Sequence, residues 1–478
     1  MSNEILSVGI DVGTTTTQVI FSKLVFENSA NYFTVPKVSI VEKEVIYKSD
    51  IYFTPLLKYS LIDMDGLTDI ILREYEKAGF DKEDVKTGAV IITGESARKE
   101  NSETVLNGLS EYAGDFVVAT AGPDLEAIIA GKGSGAYQYS MDHGKVIVNL
   151  DIGGGTTNVV VFDNGNVYSK GCWNLGGRII RIDNEGTVEY ISDSAKTIIE
   201  SLGLDEKVVI GNIIDRRIND MIINKMAQLI AQILGVCPPE KLLEKLRTSG
   251  SSEFFLPENI DAICFSGGVA EAIYNKVEND DYNYGDIGIG FGTAVGRQEQ
   301  ISRFPIIQPK ETIRATVVGA GIYTTSVTGS TIYFDREILP LKSIPVLKVS
   351  KEIESECYYG NSSKLKDNIS WFLEQSGSES AVIAIYGKIN PEYHEVVNIA
   401  KCIAESHMEL MSRKNLIVCV ENDMAKALGQ QIIKVLGDEK SIICIDGIKV
   451  ESNDYLDLGE PVINDLAIPV IIKTLIYG

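Results

Sequence analysis

The chain has 478 residues, 44% of them hydrophobic and 23% charged, with a formal net charge of −23 at pH 7. That length allows about three domains with sizeable cores, while the acidic balance, without any basic patch interleaved with aromatics, argues against nucleic acid as a partner. No stretch of about twenty apolar residues occurs, and the apolar opening ILSVGI is cut by Asp11, so no membrane span or signal peptide is expected and the chain reads as cytoplasmic.

In chain order, two strands flank a tip at Asp11 to Thr15, and extended β-branched segments follow between about 34 and 53. A helix is predicted over 67–78 from the spacing of Leu67, Ile70, Ile71, Tyr75 and Ala78. The strand AVIIT then leads to a turn at Gly94, followed by a polar helix, the strand FVVATA, and PDLEAIIAGKG with Pro123 suited to a helix start. MDHGK at 141–145 reads as a solvated turn. From Lys145 the order restarts, with strands at 146–151, 156–162 and near Val167, and an amphipathic helix over 211–234. A linker with Pro238 and Pro239 precedes the strand AICF, a turn at Ser266 to Gly268, a helix and GIGFGTAVGRQ. Beyond Pro305, strands are predicted at ATVVGAGIY, STIYF, VIAIY, NLIVCV and SIICI, with helices through EVVNIAKCIAESHMEL and NDMAKALGQQIIKVL and an ordered apolar strand in the tail. The expected division is 1–140, 141–304 and 305–478, an α/β architecture with mixed sheets laid down twice and a C-terminal α/β region without a chemical motif.

Glycine-rich tips are ordinary hairpin turns. What raises the tip GIDVGTTTTQVIF above that reading is its second copy, VNLDIGGGTTNVVVF, which aligns with it without a gap. Asp11 falls on Asp151, Gly13 on Gly153, Thr16 and Thr17 on Thr156 and Thr157, and Gln18 on Asn158. Two such tips, one in each half, suit a pincer on a nucleoside triphosphate. Backbone amides at Gly13, Gly153, Gly154 and Gly155 approach the phosphates, and the hydroxyls of Thr14, Thr15, Thr16, Thr156 and Thr157 add donors. Asp11 and Asp151 are the candidate Mg²⁺ holders, directly or through water. A P-loop is excluded, since neither run ends in Gly-Lys-Ser/Thr, and a dinucleotide fingerprint should open a helix, whereas TTNVVVF continues as a strand.

Seven cysteines, at 172, 237, 264, 357, 402, 419 and 444, are scattered and never spaced Cys-x-x-Cys, against a disulfide framework or zinc site. The three histidines lack a metal-ligand spacing.

These motifs resemble the superfamily of actin, the 70-kDa heat-shock chaperones and sugar kinases, whose members place two ribonuclease-H-like domains around a nucleotide cleft. By that resemblance IDVGTTTTQ is the first phosphate motif, TAGPDLEAIIAG the first connecting helix, LDIGGGTTN the second phosphate motif, CFSGGVAE (with Ser266, Gly267 and Gly268) the adenosine motif, and GIGFGTAVG the second connecting segment. NLGGR, with Gly176 and Gly177, is similar to a chaperone turn near the terminal phosphate. The resemblance implies ATP or ADP with Mg²⁺. It also places a glutamate before a proline at the first connecting helix, where this chain has Gly122; Asp124, Glu126 or Glu95 are the carboxylates left to orient water.

Over its full length the sequence is similar to the family of reactivating factors for adenosylcobalamin-dependent ethanolamine ammonia-lyase, through GIDVGTTTTQ, TGESARKEN, GPDLEAIIAGKGSGA, NLDIGGGTTN, RATVVGAG, ENDMAKALGQ and LDLGEPV. That likeness implies a chaperone-like ATPase whose nucleotide cycle drives damaged cobalamin out of the lyase, in the cytoplasm and compatible with an ethanolamine-utilisation microcompartment. Neither a homo-oligomer nor a second subunit is decided by it. No Asp-x-His-x-x-Gly cobalamin motif occurs. A small-molecule kinase of the same superfamily and an actin-like filament scaffold are the competing readings.

Overall fold

A computed structural model describes residues 4–28, 38–58, 61–93, 96, 100–110, 112, 122–275, 282, 284–323, 325–329, 331–411, 414–437, 440–452 and 454–474. The expected strand FVVATA, the turn at Gly94 and Glu95 lie outside these residues. The first lobe opens with the hairpin of β1 (Glu4–Val12) and β2 (Thr16–Asn28), to which β3 (Val38–Lys48) adds antiparallel. Helix α1 (Met64–Ala78) follows, and β4 (Val85–Ile92) then returns parallel to β1. The sheet order is β3-β2-β1-β4. Helix α1 starts where Asp63 accepts a hydrogen bond from the Gly66 amide and stops at Gly79 in the left-handed region, an N-cap and a C-terminal glycine of the usual kinds. Its Leu67, Ile71 and Tyr75 pack on Val8, Ile10 and Val12 of β1.

Helices α2 (Pro123–Gly133) and α3 (Ala136–His143) lead into the second lobe. Asp142 and His143 thus close a helix, where a loop was expected, and the His143 ring stacks on Tyr139. Strands β5 (Val146–Ile152), β6 (Thr157–Asp163) and β7 (Asn166–Trp173) form an antiparallel meander. Helix α4 (Arg216–Ile233), strand β8 (Ala262–Ser266), helix α5 (Gly288–Gly296) and strand β9 (Ile306–Ile307) complete this lobe. The order β7-β6-β5-β8-β9 repeats that of the first lobe, again with the first three strands antiparallel and the rest parallel.

The segment after residue 304 departs from the expectation in two ways. Ile306 and Ile307 pair with β8 and so extend the second sheet across the expected boundary. ATVVGAGIY, read as a strand from its β-branched residues, is instead helix α6 (Ala315–Tyr323), in which Ala315 through Ile322 are all buried. A helix that is apolar all round belongs in an interior, and this one lies between the β1 sheet and α2. Small residues allow the approach: a side chain on Gly133 would collide with the Ala315 carbonyl, and one on Gly319 with the Ile129 carbonyl. The helix that crosses the first connecting helix is therefore α6. GIGFGTAVG, expected in that role, is α5, whose Phe291 and Val295 sit in the core of the second lobe.

The C-terminal unit is built on four parallel strands in sequence order, β10 (Leu341–Lys348), β11 (Val382–Ile385), β12 (Leu416–Val420) and β13 (Ile442–Asp446). Antiparallel β14 (Asp454–Leu458) and β15 (Pro469–Thr474) extend it beside β10. Leu24 and Phe26 of β2 bury against Val462, Ile463 and Ala467, roughly 1.5–3 kcal/mol for each large side chain, which docks this unit on the first lobe.

Candidate functional site

Both hairpins close in the same way. Asp11 stands opposite Gln18 and Val12 opposite Thr17, while Asp151 stands opposite Asn158 and Ile152 opposite Thr157. At each tip a glycine amide reaches back to a threonine carbonyl, Gly13 to Thr16 and Gly153 to Thr156, both at 2.9 Å. The two tips also meet. A Cβ on Gly154 would lie 2.5 Å from the Thr15 hydroxyl of the other lobe, so a side chain here would push Thr15 or the tip aside.

Behind the tips, the parallel strand of each lobe supplies a hydroxyl to the aspartate. Thr93, just past β4, donates to Asp11 at 3.1 Å, and Ser266, ending β8, donates to Asp151 at 2.6 Å. The second of these extends into a buried relay, with Asn149 donating to Ser266 and Ser134 to Asn149. Both aspartates are more than nine-tenths buried. Burial pushes the Asp11 carboxyl up to about 7, with the charge of Asp151 adding and Thr93 opposing. Burial likewise raises Asp151 to about 6, against the hydroxyls of Ser266 and Thr316. Beside them the buried side-chain oxygens Gln18 Oε1 and Asn158 Oδ1, at matching positions of the two hairpins, accept no hydrogen bond, and the Thr15 hydroxyl makes none. Two buried carboxylates, each beside an amide oxygen that lacks a donor, are surroundings that a hydrated divalent cation fits.

NLGGR packs on the second tip from behind. The Gly177 amide donates to the Gly153 carbonyl at 2.9 Å and the Arg178 amide to that of Gly154 at 2.6 Å. Arg178, the last residue of NLGGR, spans the lobes: its guanidinium lies 5.8 Å from the centre of the Phe53 ring in the first lobe, 3.5 Å from Asp286 and 3.3 Å from the Tyr284 carbonyl in the second. Its one signal in the sequence is its place after the double glycine. Thr93 had a weaker signal, because its role follows only from the pairing of β4 with β1.

The structure brings most, but not all, of the expected residues to the gap. Thr157 points into the core and donates to the Leu175 carbonyl at 2.6 Å, so its hydroxyl is not available to a phosphate. The Ser266 hydroxyl is buried and donates to Asp151. Gly267, at φ +87°, has no room for a side chain against the Ile152 carbonyl, and Gly268 is exposed. At α2 the Asp124 carboxylate accepts from both the amide and the hydroxyl of Ser252 and lies 3.7 Å from Lys170. It fastens the helix to the second lobe. Glu126 is buried on the same first turn.

Two lobes with strand order 3-2-1-4, each presenting a hairpin tip and a buried aspartate to a shared cleft, define a ribonuclease-H-like, actin-like ATPase fold. The sequence model of the family described as "Ethanolamine utilisation protein EutA" matches residues 3–478, and the chain belongs to that family. It is 33% identical over 482 residues to the "Ethanolamine ammonia-lyase reactivase EutA" of Salmonella typhimurium, covering 100% of this chain and 99% of that protein, and equally to the protein of that name from Escherichia coli K12. Among solved structures, a Ppx/GppA family member from Aquifex aeolicus is similar at 14% identity and a TM-score of 0.40, over 66% of this chain and 97% of that one.

Proposed function

We propose that the protein is an ATP-driven reactivating factor for ethanolamine ammonia-lyase, in which nucleotide closes the lobes and the lobes' state sets the grip on the lyase. The observation that carries the reading is end-to-end similarity to two proteins named as reactivases of that lyase, in a chain whose two tips meet at Thr15 and Gly154. A conformational cycle of this kind needs a ligand with different affinity for open and closed forms. A triphosphate touching both tips has it.

In this proposal the tip amides of Gly13 and Gly153 to Gly155, with the hydroxyls of Thr14, Thr15, Thr16 and Thr156, bind the phosphates, Gly267 and Gly268 leave room for the nucleoside, and Arg178 faces the phosphate end. Asp11 and Asp151 would hold Mg²⁺ directly or through its waters, and the ion would offset the phosphate charge. Glu126 or Glu95 is proposed to orient water for slow hydrolysis; Asp124 leaves that role because both of its oxygens accept from Ser252.

The test mixes this protein with ethanolamine ammonia-lyase inactivated by a cobalamin analogue, fresh adenosylcobalamin and magnesium. Activity should return with ATP and not without it. Phosphorylation of a small acceptor in the absence of lyase would replace the proposal with a kinase, and ATP-dependent pelleting of polymers with a filament scaffold.

A further inference from the structure

A second place in the molecule gathers positive charge that no carboxylate among the described residues pairs with. Lys43 projects from β3 at the position paired with Leu24, seven residues along β2 from Thr17 and therefore roughly 20 Å from the hairpin tip at strand spacing. Its Nζ lies 4.5 Å from the centre of the Tyr323 ring, at the end of α6. Lys132, in the last turn of α2, reaches the same ring at 5.6 Å and the Tyr137 ring of α3 at 5.3 Å. The two rings meet edge to face at 6.1 Å. All four residues are half-buried.

Among the described residues neither lysine pairs with a carboxylate, in a chain holding 67 acidic and 44 basic side chains. Other lysines of the same lobe do find one: Lys77 pairs with Glu74 and Lys48 with Glu311. Burial lowers both Lys43 and Lys132, and the charge of Lys132 adds to the fall of Lys43 to about 8. An aromatic face meets part of an ammonium's demand, yet each ammonium has three N–H donors, and two neighbouring cations repel. A monoanionic carboxylate would balance one of them. A dianion balances both, and the phenol of Tyr323, pushed up by burial, stays a donor beside it.

We propose that Lys43, Lys132, Tyr137 and Tyr323 form a binding site for a phosphate-type dianion, separate from the nucleotide cleft, where β3 meets the ends of helices α2 and α6. The two sources of such a group are free inorganic phosphate and a phosphate monoester of a small metabolite. Because the site joins the first lobe's edge strand to both crossing helices, its ligand would bind those elements and not the tips.

Thermal unfolding of the full chain in EDTA, titrated with inorganic phosphate or with glycerol 2-phosphate, tests this. Wild-type protein should gain melting temperature at millimolar ligand, Lys43→Gln/Lys132→Gln should need at least about tenfold more, as expected for loss of charge-assisted hydrogen bonds, and Arg178→Ala should respond like wild type. A stronger response to one ligand than to the other identifies the source. A double variant that responds like wild type, or a wild type that does not respond, overturns the site. Should the double variant not fold, tungstate soaked into wild-type crystals decides: an anomalous peak between the two Nζ atoms supports the site, and peaks only elsewhere overturn it.

Discussion

The two hairpins share register, tip hydrogen bond and buried aspartate, yet they offer the gap between them different chemistry. The first tip, GTTTT, brings hydroxyls, among them that of Thr15, which makes no hydrogen bond. The second, GGGTT, brings bare backbone, backed by the amides of Gly177 and Arg178. A duplicated element has thus become asymmetric: one side supplies side-chain donors, and the other supplies close approach and a guanidinium. The difference teaches that the repeat encodes the scaffold of the two tips, while the groups each tip presents depend on its own residues and on what each lobe packs around it.

The contact between Thr15 and Gly154 is the most direct place to break this arrangement. Gly154→Val should weaken ATP binding by roughly 100-fold, since overpacking at a tight contact costs about 1–3 kcal/mol and about 1.4 kcal/mol is tenfold; isothermal titration calorimetry on a variant with wild-type circular dichroism checks it. Next come the aspartates. Asp11→Asn and Asp151→Asn should each lower ATP affinity in magnesium by roughly 10–100-fold, the range for loss of a group orienting a bound metal, and should do little in EDTA. A loss confined to one of the two would show that the lobes are not equivalent at the metal.

Arg178 belongs to the second lobe alone. Arg178→Ala should lower affinity for ATP by roughly tenfold, the value of one charge-assisted hydrogen bond, and leave ADP affinity nearly unchanged; competition binding with both nucleotides measures the split. An equal loss for ATP and ADP would remove Arg178 from the terminal phosphate. The smallest effect concerns its partner. Burial lifts Asp286 to about 6 from the usual 3.8, so the folded state holds a proton that the unfolded state has released. That contribution is present at low pH and is lost as pH rises through about 6. Between about pH 5.5 and 7.5 wild-type stability should fall by roughly 1 kcal/mol from this group, and Asp286→Asn should flatten that part of the slope in urea unfolding.

Much of the site was legible because hairpins are local. The alignment of Asp11 with Asp151 and of Gly13 with Gly153 locates both tips and their two carboxylates from local pattern alone, while the pairing of Asp11 with Gln18 and of Asp151 with Asn158 is seen in the fold. What misled was context. ATVVGAGIY has the composition of a strand, yet it is a helix buried on all sides and laid across α2, an approach that Gly133 and Gly319 permit because a side chain on either would collide with a facing carbonyl. Thr157 looked like Thr156 in the motif, and the core carbonyl of Leu175 decided otherwise.

By itself, then, the sequence determined the doubled β-hairpin, the acidic pair and the alternating α/β class, because periodicity, turn glycines and motif spacing act over a few neighbouring residues. Only the tertiary structure decided that Ser266 and Thr93 hold the aspartates, that Asp124 ties α2 to Ser252, and that Arg178 reaches Phe53 across the cleft. Each of those contacts joins residues far apart in the chain, and their partners are chosen by how the lobes pack, which no local pattern encodes.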